Sequence, residues 1–226
     1  MRKVKKFKLT SEFIVDISGV KLFRIKALIE FGNVKAGDLG GYIEKEENLS
    51  HMGNAWVSGN AQVSGDAQVS GDARVFGNAR VFGNAWVFGN AWVSGNAWVS
   101  GNARVSGDAR VFGNAQVFGD ARVSGNARVS GDAQVFGDAR VFGNAQVFGD
   151  ARVSGDKDYA YAHGFGSCNR TTTFFRLKDG DVGVRCGCFY GTLAQFRDNV
   201  CETHGETKKA QEYLMLADLM DFRFKN

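Results

Sequence analysis

The 226 residues include no proline, and cysteine is absent before Cys168. A chain without proline forms neither a polyproline stalk nor a collagen triple helix, and disulfides cannot organise most of this one. Histidine occurs only at His51, His163 and His204. No apolar run reaches the length of a membrane-spanning helix, and the basic start is not followed by the uninterrupted apolar segment of a secretory signal. The expectation is a soluble protein without membrane association that stays where it is synthesised, with Cys168, Cys186, Cys188 and Cys201 as reduced thiols.

A strong charge of one sign is also lacking. The 28 basic and 24 acidic residues leave a net charge of +4, and residues 55–156 carry 8 of each. Nucleic-acid modules concentrate basic charge on one surface, so nucleic acid is not an expected partner. The cluster Arg2, Lys3, Lys5, Lys6 and Lys8 reads as a solvated terminus.

Glycine is in excess, at 30 residues, about twice the usual share. From Ala55 to Asp156 the chain repeats A-x-V-[SF]-G-[ND] in 17 hexads without insertion or deletion, preceded by the degenerate member LSHMGN. A six-residue period is out of phase with a helix, valine suits short strands, and Gly-Asn or Gly-Asp suits bends. Three hexads make one triangular coil of 18 residues, which predicts a β-solenoid roughly 27 Å long at about 4.8 Å per coil. The expected organisation is an N-terminal β cap over 1–48, the repeat over 49–156 and a small α+β module over 157–226.

An aliphatic residue followed four positions later by a small one, as in Val57/Ala61 and Val63/Ala67, resembles the left-handed β-helix of hexapeptide-repeat proteins. FGNVKAGDLGGYIEKEENLS (31–50), the shaft and the C-terminal TTFFR and CGCFYGT together resemble bacteriophage and prophage hexapeptide-repeat proteins of largely uncharacterised function. That resemblance implies a left-handed, mainly β fold and a phage accessory protein in the cytoplasm of a bacterial host, with virion association as the other option.

Residues 18 apart stack in ladders. One face carries Trp56, Arg74, Trp92, Arg110, Arg128 and Gln146, the second Gln62, Arg80, Trp98, Gln116, Gln134 and Arg152, and the third Gln68, Trp86, Arg104, Arg122 and Arg140. Trp92 between Arg74 and Arg110 suits cation–π contacts. Four Trp and eight Phe outside the Val/Ala core exceed what a monomer normally exposes. Trp56, Phe76, Phe82, Trp86, Trp92, Trp98, Phe112, Phe118 and Phe136 are therefore candidates for a homo-oligomer interface, with a trimer favoured. Asp108, Asp120 and Asp138 are the expected neutralisers of the Arg104–Arg122–Arg140 ladder, and the Asn and Asp of the bends are expected to bond local backbone.

No catalytic residue, metal site or cofactor is indicated. Hexapeptide β-helices include acyltransferases and zinc carbonic anhydrases, but these hexads hold no His and no loop protrudes to wall an active site. In the C-terminal module, a two-residue turn at Asp179-Gly180 would join strands 173–178 and 181–186. It would put Phe175, Leu177, Val182, Val184, Cys186 and Cys188 on one face as a buried set. Phe174, Arg176 and Arg185 would then face outward and, with Arg170, Thr172 and Tyr190, form a candidate pocket for a phosphate-bearing small ligand or nucleotide. Thr192 and Gln195 predict a capping box before a helix ended by Gly205, and a second helix over 208–222 offers Tyr213, Leu214, Ala217 and Met220 for packing. The leading expectation is a non-enzymatic oligomeric scaffold that meets a host or phage protein. Ligand sequestration and an acyltransferase-like enzyme are the alternatives.

Overall fold

The computed structural model describes residues 4–225. Seventeen two-residue strands, β4 (Trp56–Val57) to β20 (Arg152–Val153), follow one another at six-residue intervals. Each pairs in parallel with the strand three hexads away, so Trp92 lies between Arg74 and Arg110 and the register is 18 residues throughout. The strands form three flat faces of a β-solenoid, and the ladder membership of every face is the one predicted. Alanine and valine of each hexad point inward and are buried along the whole shaft.

Each bend turns on glycine. Gly107, for example, has φ +65°, and a Cβ there would sit 3.0 Å from the backbone nitrogen of Gly125 in the next coil. Sterics and backbone conformation both require glycine at that position. The adjacent Asn and Asp bond each other up the corners, not the local backbone that the sequence suggested. Asn60, Asn78, Asn96 and Asn114 each donate Nδ2 to the residue 18 further on, and that run stops at Asp132. A carboxylate accepts but cannot donate, so it ends such a run.

The solenoid's backbone also dictates its ends. At the x, S/F and N/D positions the N–H donates to a carbonyl one coil further on, as in Trp56 N to Ala73 O at 3.0 Å and Ser58 N to Val75 O at 2.9 Å. The first coil is left with carbonyls to satisfy and the last with N–H groups. Donors meet the first set. Lys6 Nζ reaches Ala55 O at 2.8 Å, and Asn48 Nδ2 reaches Gly65 O and Ala67 O at 3.0 and 2.9 Å. Acceptors meet the second: Thr173 Oγ1 takes Gln146 N, Asp156 Oδ1 takes Arg140 N and Asp158 Oδ2 takes Ser154 N, each at 2.9 Å.

The N-terminal cap is an antiparallel meander, β1 (Phe7–Val15), β2 (Lys21–Ala27) and β3 (Leu39–Ile43), and β3 continues in parallel onto the second face of the shaft. Gly41 lies at that junction, where a Cβ would come 2.6 Å from Ala61 O. Lys6 corrects the reading of a solvated basic terminus: it is buried. Burial lowers its pKa to about 8, with Asp72 acting in the opposite sense. Arg2 and Lys3 lie outside the described residues.

The C-terminal module is an antiparallel sheet, β21 (Tyr159–Phe165), β22 (Arg170–Arg176), β23 (Val182–Cys186) and β24 (Phe189–Thr192), followed by α1 (Leu193–His204) and α2 (Lys208–Phe224). The capping box forms as predicted, with Gln195 N donating to Thr192 Oγ1 and Thr192 N to Gln195 Oε1. The hairpin differs. Arg176 pairs with Val182 and Leu177 N bonds Asp181 O, so the loop is longer by one residue than the predicted two-residue turn. A one-residue change exchanges the faces of one strand relative to the other. Phe174 therefore lies beside Val184 under the helices, whereas Phe175 and Leu177 close the end of the shaft core.

Candidate interaction surface

Three tryptophans occupy a single coil, residues 85–102, one on each face of the shaft. The repeat explains their contacts. Arg110 lies 4.7 Å and Arg74 5.9 Å from the Trp92 ring centroid, the sandwich expected from the ladder. Arg80 lies 5.5 Å from Trp98 and Arg104 5.3 Å from Trp86. Phe76 and Phe82 set their edges on Trp92 and Trp98, and Phe118 stacks on Phe136 at 5.2 Å.

These contacts divide the candidate interface residues. Trp56 is buried under the cap with Phe31 edge-on to it, which removes it from the exposed set. Phe76, Phe82, Phe118 and Phe136 are half-covered by their neighbours. Six aromatics of the shaft stay exposed: Trp86, Phe88, Trp92, Trp98, Phe112 and Phe142. Phe88 (36%) and Phe142 (48%) lie three coils apart on the edge between the third and first faces, with Trp86 (44%) on the third face and Trp92 (36%) on the first, to either side of Phe88 in the chain. Phe88 and Phe142 were missed in the sequence, although their column reads Phe88, Ser106, Ser124, Phe142 and gives neither a ring to stack on from its own ladder.

The arginine ladder keeps its charge. Among the described residues, no shaft arginine lies within 4 Å of a carboxylate in an ion pair, contrary to the expected neutralisation by Asp108, Asp120 and Asp138. Corner geometry is the reason: Asp108 and Asp120 accept from Asn90 and Asn102 at 2.9 Å.

Two clefts of about 460 Å³ each lie where the cap meets the shaft. One is walled by Asn33, Asp38, Arg74, Phe76 and Trp92, the other by Asp16, Ile17, Arg80, Phe82 and Trp98. Each repeats the same construction, an arginine over a tryptophan with a phenylalanine at its edge, closed by an acidic residue of the cap.

The six residues of the predicted ligand pocket do not converge. Phe174 and Thr172 are buried on the helix side, Thr172 donating to Cys186 Sγ at 3.2 Å. Arg176 holds the end of α2 through the carbonyl of Phe224 at 2.6 Å and reaches Gly180 O at 2.8 Å. Arg170 lies against Gly187. On the opposite side of the sheet, Arg185 stacks over Phe148 at 5.1 Å and Tyr190 donates to Asp150 at 3.2 Å. These residues dock the module instead of facing one cavity, and the flipped hairpin is the cause.

The cysteines are less buried than expected. Cys168, Cys188 and Cys201 are exposed and Cys186 is half-buried, all as free thiols. Cys188 falls in the turn between β23 and β24, outside the strand that was expected to bury it. Tyr159 fastens the module to the shaft by donating to Arg140 O, and burial followed by the charge of Asp156 pushes its pKa up to about 12. No group of three or more His, Cys, Asp or Glu side chains able to hold a metal occurs among the described residues.

Fold and surface together define a β-solenoid protein: a rigid three-faced shaft with a β cap and an α+β module at its ends. Its repeats are similar to the family described as YdcK Beta solenoid repeat, which matches residues 67–81, 73–87, 79–95, 97–113, 103–119, 115–131, 121–135 and 133–147, all within the shaft. No curated protein matches the chain.

Proposed function

We propose that this chain is a non-enzymatic scaffold and interaction protein that works as a homo-oligomer, three copies meeting along the edge between the third and first faces. The observation that carries this reading is the exposure of Trp86, Phe88 and Trp92 around one coil, with Phe142 three coils further along the same edge, because exposed aromatic surface marks a contact site. The resemblance to phage and prophage hexapeptide-repeat proteins supports an accessory role in the cytoplasm of a bacterial host. Sedimentation equilibrium tests the contact. The wild type is expected to hold a multiple of three copies, and Trp86→Gln with Phe142→Ser to lower the copy number threefold. A copy number unchanged by those substitutions rejects the shaft contact.

Ligand sequestration is the second reading, and the paired clefts favour it. Their volume suits a small molecule, and each sets a donor-only guanidinium beside an indole platform. Intrinsic tryptophan fluorescence titrated with small phosphate compounds checks it; a signal abolished by Arg80→Ala or Arg74→Ala is the expected result. If no compound shifts the emission, the reading falls.

A further inference from the structure

α2 is apolar on two sides. Its inner side packs Ala210, Tyr213, Ala217, Met220 and Phe224 into the second core. Its outer side presents Met215, Leu219 and Phe222, which are 63%, 56% and 73% exposed. Their spacing of four and three residues aligns them in one stripe. An inner side is enough to hold a helix on its domain, so the outer stripe needs another reason. Phe222 is the most exposed aromatic among the described residues.

We infer that this stripe is a contact between two copies of the chain, formed by antiparallel packing of α2 on α2 of a second copy about a two-fold axis at Leu219. This deepens the oligomer reading and rests on it only for the claim that copies associate. The stripe is self-complementary. With Leu219 against its own counterpart, Met215 of each copy faces Phe222 of the other, as an isologous contact requires. Charge selects the antiparallel sense. Glu212, which also accepts from Gly166 N, and Arg223, which also donates to Asp156 O, flank the stripe on the same side, three helical turns apart. Antiparallel packing brings each glutamate toward the other copy's arginine, whereas parallel packing leaves the two on opposite sides of the seam. On the opposite flank Asp218 approaches its own counterpart near the axis, and Arg197 of α1 already pairs with it. A cleft of about 390 Å³ lined by Ala160, Leu219, Met220, Phe222 and Arg223 lies beside the Phe222 end of the stripe and gives the other copy's Met215 a place to seat. The contact joins C-terminal modules and leaves the shafts free.

The test is sedimentation equilibrium of the full chain, the Leu219→Glu/Phe222→Glu variant, the Phe222→Leu variant and the shaft-edge variant. The wild type is expected to hold an even number of copies. The double glutamate variant should halve it with an unchanged far-ultraviolet spectrum, and Phe222→Leu should preserve it. A wild type with an odd copy number, or a folded double glutamate variant of undiminished mass, overturns the α2 contact. If the double variant unfolds, Arg223→Glu decides: it should weaken association, and association equal to wild type overturns the contact. Loss of mass only in the shaft-edge variant rejects α2 and keeps the scaffold's shaft contact. Loss only in the α2 variants does the reverse.

Discussion

Phe174 and Phe175 are neighbours in the chain but belong to different cores, one under the helices and one at the end of the shaft. In the shaft no such surprise arises: every alanine and valine from Ala55 to Val153 is fully buried at the hexad position that predicts it. The difference lies in what sets side-chain direction. A shaft residue is oriented by the period, which the coils above and below enforce. A residue at the ends is oriented by the length of one loop, and a single residue there exchanges faces.

The strongest way to break this comparison is Phe174→Ala. If Phe174 sits edge-on to Phe196 in the second core, as the structure has it, the loss should be about 3–5 kcal/mol. Hydrogen exchange should show it confined to α1, α2 and β22 while shaft amides keep their protection. A surface phenylalanine, as the two-residue turn implied, would change stability by less than about 0.5 kcal/mol, and that result would return the hairpin to the predicted register.

The shaft was legible to the residue because its information is redundant: 17 hexads repeat one local rule, and a mistake in one is outvoted by the rest. The capping box of α1 was legible for the same local reason. The ligand pocket was not, because it required Arg170, Thr172, Phe174, Arg176, Arg185 and Tyr190 to share a side, and a hairpin register decides that. Burial of Trp56 also lay beyond the pattern, since only the returning cap brings Phe31 onto it. Lys6 was hidden by its company: a cationic run reads as solvated, and only the open carbonyls of the first coil give one member a buried partner.

Lys6 gives a prediction of intermediate size that separates end from shaft. Its folded pKa of about 8 lies below the ordinary lysine value of 10.5, with burial the main cause. Above pH 8 the folded protein sheds that proton while the unfolded chain retains it to about 10.5, so the unfolded state binds more protons and stability rises with pH across this window. The contribution is fully present above the unfolded value and is lost as pH falls through 8. Allowing for solvent screening, the gain is about 1–2 kcal/mol. Tyr159, whose folded pKa is raised, pulls the other way above pH 10, so the quantity to measure is the difference between wild type and Lys6→Met in denaturant unfolding at pH 7.5 and 10. A difference that stays flat would mean that Lys6 is solvated, as the sequence alone suggested.

The smallest expected effect lies within the shaft, where the repeat leaves little to improve. Asn84 donates to Asn102 and Asn102 to Asp120, and the run stops there because a carboxylate has no proton to pass to Asp138. Asp120→Asn keeps an acceptor for Asn102 and adds a donor 18 residues short of Asp138, extending the run by one bond and removing one of two stacked like charges. The backbone at Asp120 is undisturbed, since its N–H remains on Gly137 O at 2.8 Å. The variant should be more stable by about 0.5 kcal/mol, the lower end for one added hydrogen bond at an exposed site. The denaturant midpoint should rise with no change in slope. A midpoint at or below that of the wild type would show that the corner amides follow the coil without holding it, leaving the bend to glycine and the backbone ladder alone.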